Sequence, residues 1–273
     1  MKRPPASALP VYWTCATFER DWLERLFFRH IPCRVEMDGE FRRSGGDAVV
    51  VHSCQDRKTI DRYVAGFRNV VVINLGDEWN SFPKEHYAMC RAVFRTYWFH
   101  GNKARVFPLG LGRGFSASPS IPASSRSHFW CFMGQTFGKP TRQSMIERME
   151  KYSGCVIYLT HSWLDPNQMR GRAYASILEN SVFAAAPGGW ATAPETFRLY
   201  EGLEAGAIPV VPDADLRYYR SLYGEVPFVP DSTDLRTVDL DSTQRACRSW
   251  WAREEPRHSN EFVLTLRKAG MIP

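Results

Sequence analysis

The residues best suited to chemistry lie between Ser181 and Val211, in the segment SVFAAAPGGWATAPETFRLYEGLEAGAIPVV. Its pattern predicts a strand, a glycine-rich turn, a helix, a tight turn and a second strand. Backbone N–H groups at a helix N-terminus bind anions, and Arg198 could add a cation there. Glu201 shares a helix face with Arg198. The segment therefore predicts either an anion site or only a well-capped helix, with Arg198 and Glu201 as a surface pair and Glu195 as a cap.

Strands and helices alternate around this segment. Apolar runs predict strands at residues 129–133, 155–159, 182–186 and 207–211, and helices at 142–152, 167–179 and 193–205. The helix at 193–205 has the clearest boundaries. Thr192 and Glu195 form a capping box at its start, and Gly206 closes its end. A D-x-D sequence, Asp213 to Asp215, follows the last of these strands, and we interpret it as a turn.

The first half of the chain alternates in the same way. Continuous Val and Ile runs predict buried parallel strands at 47–52 and 69–74, a third short strand lies at 105–109, and helices are predicted at 56–67 and 84–99. Such alternation is typical of open parallel sheets. The predicted fold is α/β, with two Rossmann-like domains whose parallel sheets face each other across a cleft.

A stretch rich in Ser, Pro and Gly, from Gly112 to Ser127, separates the two halves. We place the first domain at residues 1–115, a linker at 116–127 and the second domain at 128–273. The last helix could pack back on the first domain. Ligands of such sheets bind at the carboxyl ends of the strands, so we expect functional residues there.

The segment at 181–211 resembles the C-terminal signature of exostosin-like glycosyltransferases, which have the two-domain GT-B fold. The matching positions are Ser181, Phe183, Pro187, Gly189, Thr196, Arg198, Glu201, Leu203, Ile208, Pro209 and Val210. Two weaker similarities precede it in the expected order. They are Phe132 to Gly134 followed by Arg142, and the sequence FPLG at 107–110.

This resemblance implies an enzyme whose second domain binds a nucleotide sugar, with a UDP-sugar as the first expectation. The implied donor-binding residues are Gly134, Arg142, Pro187, Gly188, Gly189, Thr196, Arg198 and Glu201. Arg142 and Arg198 would neutralise the diphosphate with help from the Gly188 and Gly189 backbone, and Glu201 would bind donor hydroxyls. Cations placed there stabilise the charge that develops on the leaving group. Neither a metal nor another cofactor is expected.

An inverting reaction also needs a general base on the acceptor side. Asp77 and Glu78 follow the strand NVVVIN, and His52 ends the strand DAVVVH. Each would stand at a carboxyl strand end, where it could take the proton of an acceptor hydroxyl. A capping or loop role for the acids, and a structural hydrogen bond for the histidine, are the alternatives.

The net charge of +6 suggests what the acceptor could be. Residues 1–125 hold 18 Lys and Arg against 12 Asp and Glu, whereas residues 126–273 hold 17 of each. The resemblance favours a glycan or polysaccharide acceptor, and an anionic glycan would suit the basic half. The charge also suits hydroxymethylated DNA bases as acceptors, or a non-catalytic nucleic-acid-binding protein. The basic candidates are Arg57, Lys58, Arg91, Arg95 and Arg113.

Other protein classes fit poorly. The sequence has no run near the ~18 apolar residues of a membrane span and no apolar signal segment at its start. Its seven cysteines are scattered without a C-x-x-C pair, which argues against a zinc site. We expect a cytoplasmic protein with reduced thiols.

Overall fold

The structure, a computed structural model, describes residues 8–37, 45–53, 61, 64–78, 80, 85–101, 103–118, 121–162, 165–189 and 193–273. The chain divides into two compact units, residues 1–108 with 255–273 and residues 109–254. Each unit contains one parallel β-sheet with helices, so the predicted α/β class with two Rossmann-like sheets is confirmed.

The first unit has a six-stranded sheet in the order β2-β1-β3-β4-β5-β6. Its strands are β1 (Leu9–Trp13), β2 (Cys33–Met37), β3 (Asp47–His52), β4 (Asn69–Asn74), β5 (Ala92–Arg95) and β6 (Arg105–Val106). All neighbouring strands pair in parallel. The Val and Ile runs of β3 and β4 are buried almost throughout, as expected for strands covered on both faces.

Aromatic packing connects this sheet to helices at both ends of the chain. Helix α1 (Arg20–Leu26) buries Trp22, Leu23 and Leu26. The adjoining Phe27 stacks on Phe262 with ring centroids 4.3 Å apart. Phe262 belongs to the last helix, α7 (Leu240–Lys268), whose residues from 255 onward lie in the first unit. The sequence patterns predicted none of β1, α1 and β2.

The predicted helix at residues 84–99 is wrong. A short helix, α2 (His86–Met89), is followed directly by strand β5 (Ala92–Arg95), which pairs with β4 and β6. All four residues of β5 are buried. Such a short apolar segment fits both helical and strand periodicity, and burial inside the sheet decides between them. Most of the predicted helix at 56–67 lies outside the described residues.

The second unit has a five-stranded parallel sheet in the order β11-β10-β9-β7-β8. Its strands are β7 (His128–Gln135), β8 (Cys155–Thr160), β9 (Ser181–Ala185), β10 (Ile208–Val211) and β11 (Val229–Pro230). Its helices are α3 (Pro140–Met149), α4 (Gly171–Asn180), α5 (Phe197–Glu204) and α6 (Asp213–Tyr223). Short 3₁₀ helices lie at Ala123–Ser125 and Leu235–Thr237 in this unit and at Phe28–His30 in the first unit. Among the helices within the described ranges, none has both the length and the apolar character to cross a bilayer.

Helix α5 begins later than its sequence suggests. The N-cap is Thr196, whose hydroxyl accepts the backbone N–H of Arg198, so the predicted capping role of Glu195 is wrong. Thr192, its predicted partner, lies outside the described residues. The Glu195 carboxylate instead accepts hydrogen bonds from tyrosines. The glycine-rich turn at 188–189 is therefore separated from the helix by several residues and does not form its N-terminus.

Candidate active site

Strand order fixes where each sheet can bind a ligand. In the second unit the chain leaves β7 for β8 on one side and returns to β9 on the other, so the order reverses between β7 and β9. In the first unit it reverses between β1 and β3. The crevice outside the carboxyl ends at such a switch point is the usual binding site of open α/β sheets. Of the predicted residues, Gly134, Gly188 and His52 stand at these ends.

Arg198 is the central side chain of the second unit's switch point. It is only 8% exposed. Its Nε donates to the Met133 carbonyl at 2.7 Å, and its Nη1 donates to the Thr196 hydroxyl at 3.2 Å. The guanidinium also lies over the Phe132 ring, 4.7 Å from its centroid. Burial lowers the pKa of Arg198. Helix periodicity alone suggested a surface ion pair with Glu201, whereas Arg198 is buried.

The free end of this guanidinium points at Gly134. Nη2 of Arg198 makes no hydrogen bond to any residue that the structure describes. A Cβ at position 134 would lie 2.6 Å from Nη2, and the φ of Gly134 is +149°. Two N–H groups of a buried cation are thus available beside a position where only glycine fits.

Arg142 and Asp215 hold the neighbouring loops. Arg142 donates from Nε to the Gly188 carbonyl at 3.1 Å and from Nη1 to the Gln135 carbonyl at 2.9 Å. The Gly188 N–H donates to the Asp215 carboxylate at 2.9 Å. Asp215 thus already accepts the N–H of Gly188, one of the two glycines whose backbone was expected to help bind the diphosphate. Burial raises the pKa of Asp215 to about 6.

Steric contacts also restrict the two glycines of this loop. A Cβ at Gly188 would lie 2.6 Å from Cα of Pro194, so the chain passes too close for any side chain. Gly189 is half-buried, and Nη2 of Arg142 lies 3.4 Å from its Cβ position. Pro187 is buried, and its carbonyl lies 3.5 Å from Nη1 of Arg198.

Glu201 is engaged inside the unit. Oε1 accepts the Gly112 N–H at 3.1 Å, and Oε2 accepts the Tyr174 hydroxyl at 2.8 Å. Burial raises the pKa of Glu201, and these two hydrogen bonds oppose the rise. No motif in the sequence pointed to Gly112 or Tyr174 as partners of Glu201. A Cβ at Gly112 would lie 3.0 Å from Oε1, a tight contact that would require the carboxylate to shift by a few tenths of an ångström.

In the first unit, Asp77 belongs to a buried ion pair. Its carboxylate accepts Nη2 of Arg95 at 2.9 Å, with exposed side-chain fractions of 1% and 0%. Arg95 also donates to the Asn80 side chain at 3.0 Å, and Asn74 donates to Asp77 at 3.3 Å. The assignment of Arg95 as a surface cation for an acidic acceptor is therefore wrong.

Glu78 and His52 differ from Asp77 in their surroundings. Glu78 is half-buried and accepts the Tyr97 hydroxyl at 3.1 Å. His52 is buried, with Nδ1 3.0 Å from the Thr14 hydroxyl, which itself donates to the Val51 carbonyl at 3.0 Å. Thr14 has only one hydroxyl proton, and it donates that proton to Val51. In its contact with Thr14, Nδ1 of His52 must therefore be the donor, so Nε2 carries no proton and is the basic nitrogen.

One acidic residue at the same switch point escaped the sequence analysis. Glu19 follows the carboxyl end of β1 and precedes α1, and burial raises the pKa of its carboxyl to about 7. No capping hydrogen bond accounts for this side chain. The sequence TFER around it carries no motif.

The other basic candidates do not form one described surface. Arg91 is exposed and donates to the Asn69 side chain at 2.6 Å. Arg113 is exposed and lies in the second unit, while Arg57 and Lys58 lie outside the described residues.

The interpretation of the D-x-D sequence as a turn is wrong, because these residues start helix α6. Both of its aspartates accept hydrogen bonds within the protein. Within the ranges that the structure covers, no group of His, Cys, Asp and Glu has the arrangement of a metal site.

Comparison with known families gives one match. Residues 114–220, less than half of the chain, match the family model described as RXYLT1 C-terminal domain. The resemblance to exostosin-like enzymes is not confirmed. A comparison with curated proteins finds no match.

Solved structures similar to this chain include three glycosyltransferases. An alpha1,3-fucosyltransferase aligns with a TM-score of 0.51 at 9% identity, covering 96% of this chain and 84% of the other. AviGT4, a glycosyltransferase involved in avilamycin A biosynthesis, gives 0.47 at 12% identity, covering 82% and 85%. The pneumococcal O-GlcNAc transferase GtfA, in complex with UDP and GlcNAc, gives 0.37 at 11%, covering 82% and 54%. The alignment with the alpha1,3-fucosyltransferase supports the GT-B fold for this chain.

Proposed function

We propose that this protein transfers a sugar, with inversion, from a nucleoside diphosphate donor to a hydroxyl of a glycan. A UDP-sugar is the first donor to test. The observation that carries the proposal is the buried guanidinium of Arg198, whose Nη2 is unbonded to described residues and lies beside Gly134 at the switch point of the second sheet.

The leaving diphosphate supplies the reason for a cation at this place. As the bond between the anomeric carbon and the diphosphate oxygen breaks, negative charge grows on that oxygen. A fixed, partly desolvated guanidinium stabilises this charge without having to reorganise. Arg142 supports the site in two ways, by adding positive charge and by holding the carbonyls of Gln135 and Gly188. No metal is needed in this proposal.

On the acceptor side we propose His52 as the general base. It stands at the switch point of the first sheet, and its contact with Thr14 favours a basic Nε2. Nε2 would take the hydroxyl proton as the acceptor oxygen bonds to the anomeric carbon. Glu78, whose described hydrogen bond involves only Oε1, is the second candidate. The ion pair with Arg95 makes Asp77 the weakest of the three.

Donor binding tests the proposal directly. Calorimetry would compare UDP and GDP affinity in the wild type, Arg198→Gln, Arg198→Lys and the control Arg170→Gln, which removes an exposed arginine of the same unit. Charge-assisted hydrogen bonds contribute roughly 1.5–3 kcal/mol, so Arg198→Gln should weaken binding about tenfold or more. Lysine should rescue part of the loss because it keeps the charge without the planar fork. Unchanged affinity in a folded Arg198 variant would refute the donor site.

The proposed general base, His52, is tested in a separate experiment. The protein is incubated with a panel of nucleotide sugars, with water as the acceptor, and the release of nucleoside diphosphate is measured. His52→Asn can keep a hydrogen bond to Thr14 but lacks a basic Nε2. We expect it to reduce turnover strongly while donor affinity stays unchanged. If Glu78→Gln loses turnover and His52→Asn does not, the base is Glu78.

A further inference from the structure

Two large apolar side chains are exposed at the carboxyl edge of the second sheet. Phe137, in the turn after β7, is 82% exposed, and Leu159, near the end of β8, is 55% exposed. Leu159 pairs in register with Gly134. Paired residues of parallel strands point to the same face of a sheet, so Leu159 lies on the face where Gly134 meets Arg198.

The turn that carries Phe137 is held in place. The Lys139 N–H donates to the Thr136 carbonyl at 2.8 Å and closes the turn. Arg142 donates to the Gln135 carbonyl at 2.9 Å and ties the start of the turn to helix α3. The same arginine thus fixes both the turn of Phe137 and the loop of Gly188.

We propose that Phe137 and Leu159 form a platform for the base of the donor nucleotide. The inference rests on the proposed function, because it places the base next to the diphosphate at Arg198. Phe137 lies three positions after Gly134, a reach of at most ~10 Å, which suits the extent of a nucleotide from phosphate to base. The apolar faces of Phe137 and Leu159 suit the face of an uncharged aromatic ring, whereas the cation beside Gly134 suits the phosphates. Stacking on a phenyl ring does not select one base, so the platform would serve uracil and guanine alike.

Calorimetry with UDP, GDP and inorganic pyrophosphate separates the base from the phosphates. Phe137→Ala should weaken UDP and GDP binding about tenfold, as expected for loss of one stacking contact, and leave pyrophosphate binding unchanged. Phe137→Trp should retain the affinity, and Leu159→Ala should show a smaller loss. Ile121→Ala removes another exposed apolar side chain of the same unit and serves as the control.

Each other outcome has a distinct meaning. If the wild type binds pyrophosphate as tightly as UDP, or if Phe137→Ala binds UDP normally, the platform is refuted and the donor site at Arg198 stands. An equal loss for UDP and pyrophosphate would show that Phe137 only supports the diphosphate loop, which also refutes it. If the wild type binds none of the three ligands, the proposed function fails first. If the wild type is a dimer and Phe137→Ala is a monomer with normal UDP affinity, the platform binds a second copy of the chain and not the nucleotide base.

Discussion

A Cβ atom at position 134 would lie 2.6 Å from Nη2 of Arg198, closer than real Cβ contacts. Gly134 also has a φ of +149°, which residues with a side chain rarely adopt. The glycine therefore does two things. It permits this φ near the end of β7, and it leaves room for the guanidinium that we assign to the donor diphosphate.

Gly134→Ala should reduce donor affinity by displacing Arg198. We expect a loss of about tenfold, similar to that of Arg198→Gln, since both variants remove the same cation from its position. Calorimetry with UDP measures it. Gly224→Ala is the matched control, because Gly224 has a φ of +75° with no atom within 4 Å of its Cβ position. If both variants bind UDP equally well, steric contact at position 134 does not matter for the donor site.

The pair of Asp77 and Arg95 should be structural. Asp77→Asn would leave the guanidinium buried without its counter-charge, and breaking a buried pair costs about 3–5 kcal/mol. Glu78→Gln should change stability by about 0.5 kcal/mol or less, because the amide oxygen can still accept the Tyr97 hydroxyl. Denaturant unfolding measures both. Equal, small losses would show that the ion pair does not support the fold and would return Asp77 to the candidate bases.

Sequence patterns identified the strands that are long, apolar and buried, such as β3 and β4. They missed β1, whose sequence LPVYW contains a proline and a single β-branched residue. They also misassigned β5, because its four residues are too few to distinguish the two periodicities. Pairing with neighbouring strands decides the structure of such segments, and pairing is not visible along one chain.

The site was predictable only in part, because tertiary contacts, like strand pairing, are not visible along one chain. Gly134, Gly188 and Arg198 lie in recognisable motifs, and the structure brings them to one sheet edge. Their partners are distant in sequence, since Asp215 follows Gly188 by 27 residues and Gly112 precedes Glu201 by 89. Helix periodicity suggested a surface pair of Arg198 and Glu201, although tertiary contacts bury both side chains.

Binding to DNA should be weak and should vary little with salt. Four to six phosphate contacts would give a slope of log affinity against log salt near −4 to −5. Arg95 is buried in its ion pair, and Arg113 lies in the second unit. We therefore expect a slope shallower than about −2 in fluorescence anisotropy titrations of duplex and single-stranded DNA. A steep slope, together with sugar transfer to hydroxymethylated but not plain DNA, would instead establish a DNA acceptor.

Glu195 should make the stability of the folded protein depend on pH. Its side chain is buried, and burial raises its pKa to about 8. The hydroxyls of Tyr200 and Tyr223 donate to Oε1 at 2.9 and 3.3 Å and oppose the rise. An unfolded glutamate has a pKa near 4.3. Between these two values the folded state binds more protons than the unfolded state, so this residue makes stability fall as pH increases.

Glu195→Gln should remove that part of the pH dependence. The amide oxygen can still accept the two tyrosine hydroxyls, and the variant carries no charge at any pH. We expect the variant to be no more stable than the wild type at pH 5 and clearly more stable at pH 8.5, since each unit of pKa difference corresponds to about 1.4 kcal/mol. Denaturant unfolding across pH 5–8.5 measures the difference in the free energy of unfolding between the two proteins. Glu19 and Asp215 do not contribute to this difference because both proteins contain them. Glu147→Gln, at an exposed position of α3, is the control. Parallel stability curves for the wild type and Glu195→Gln would show that Glu195 is ionised in the folded protein throughout this range.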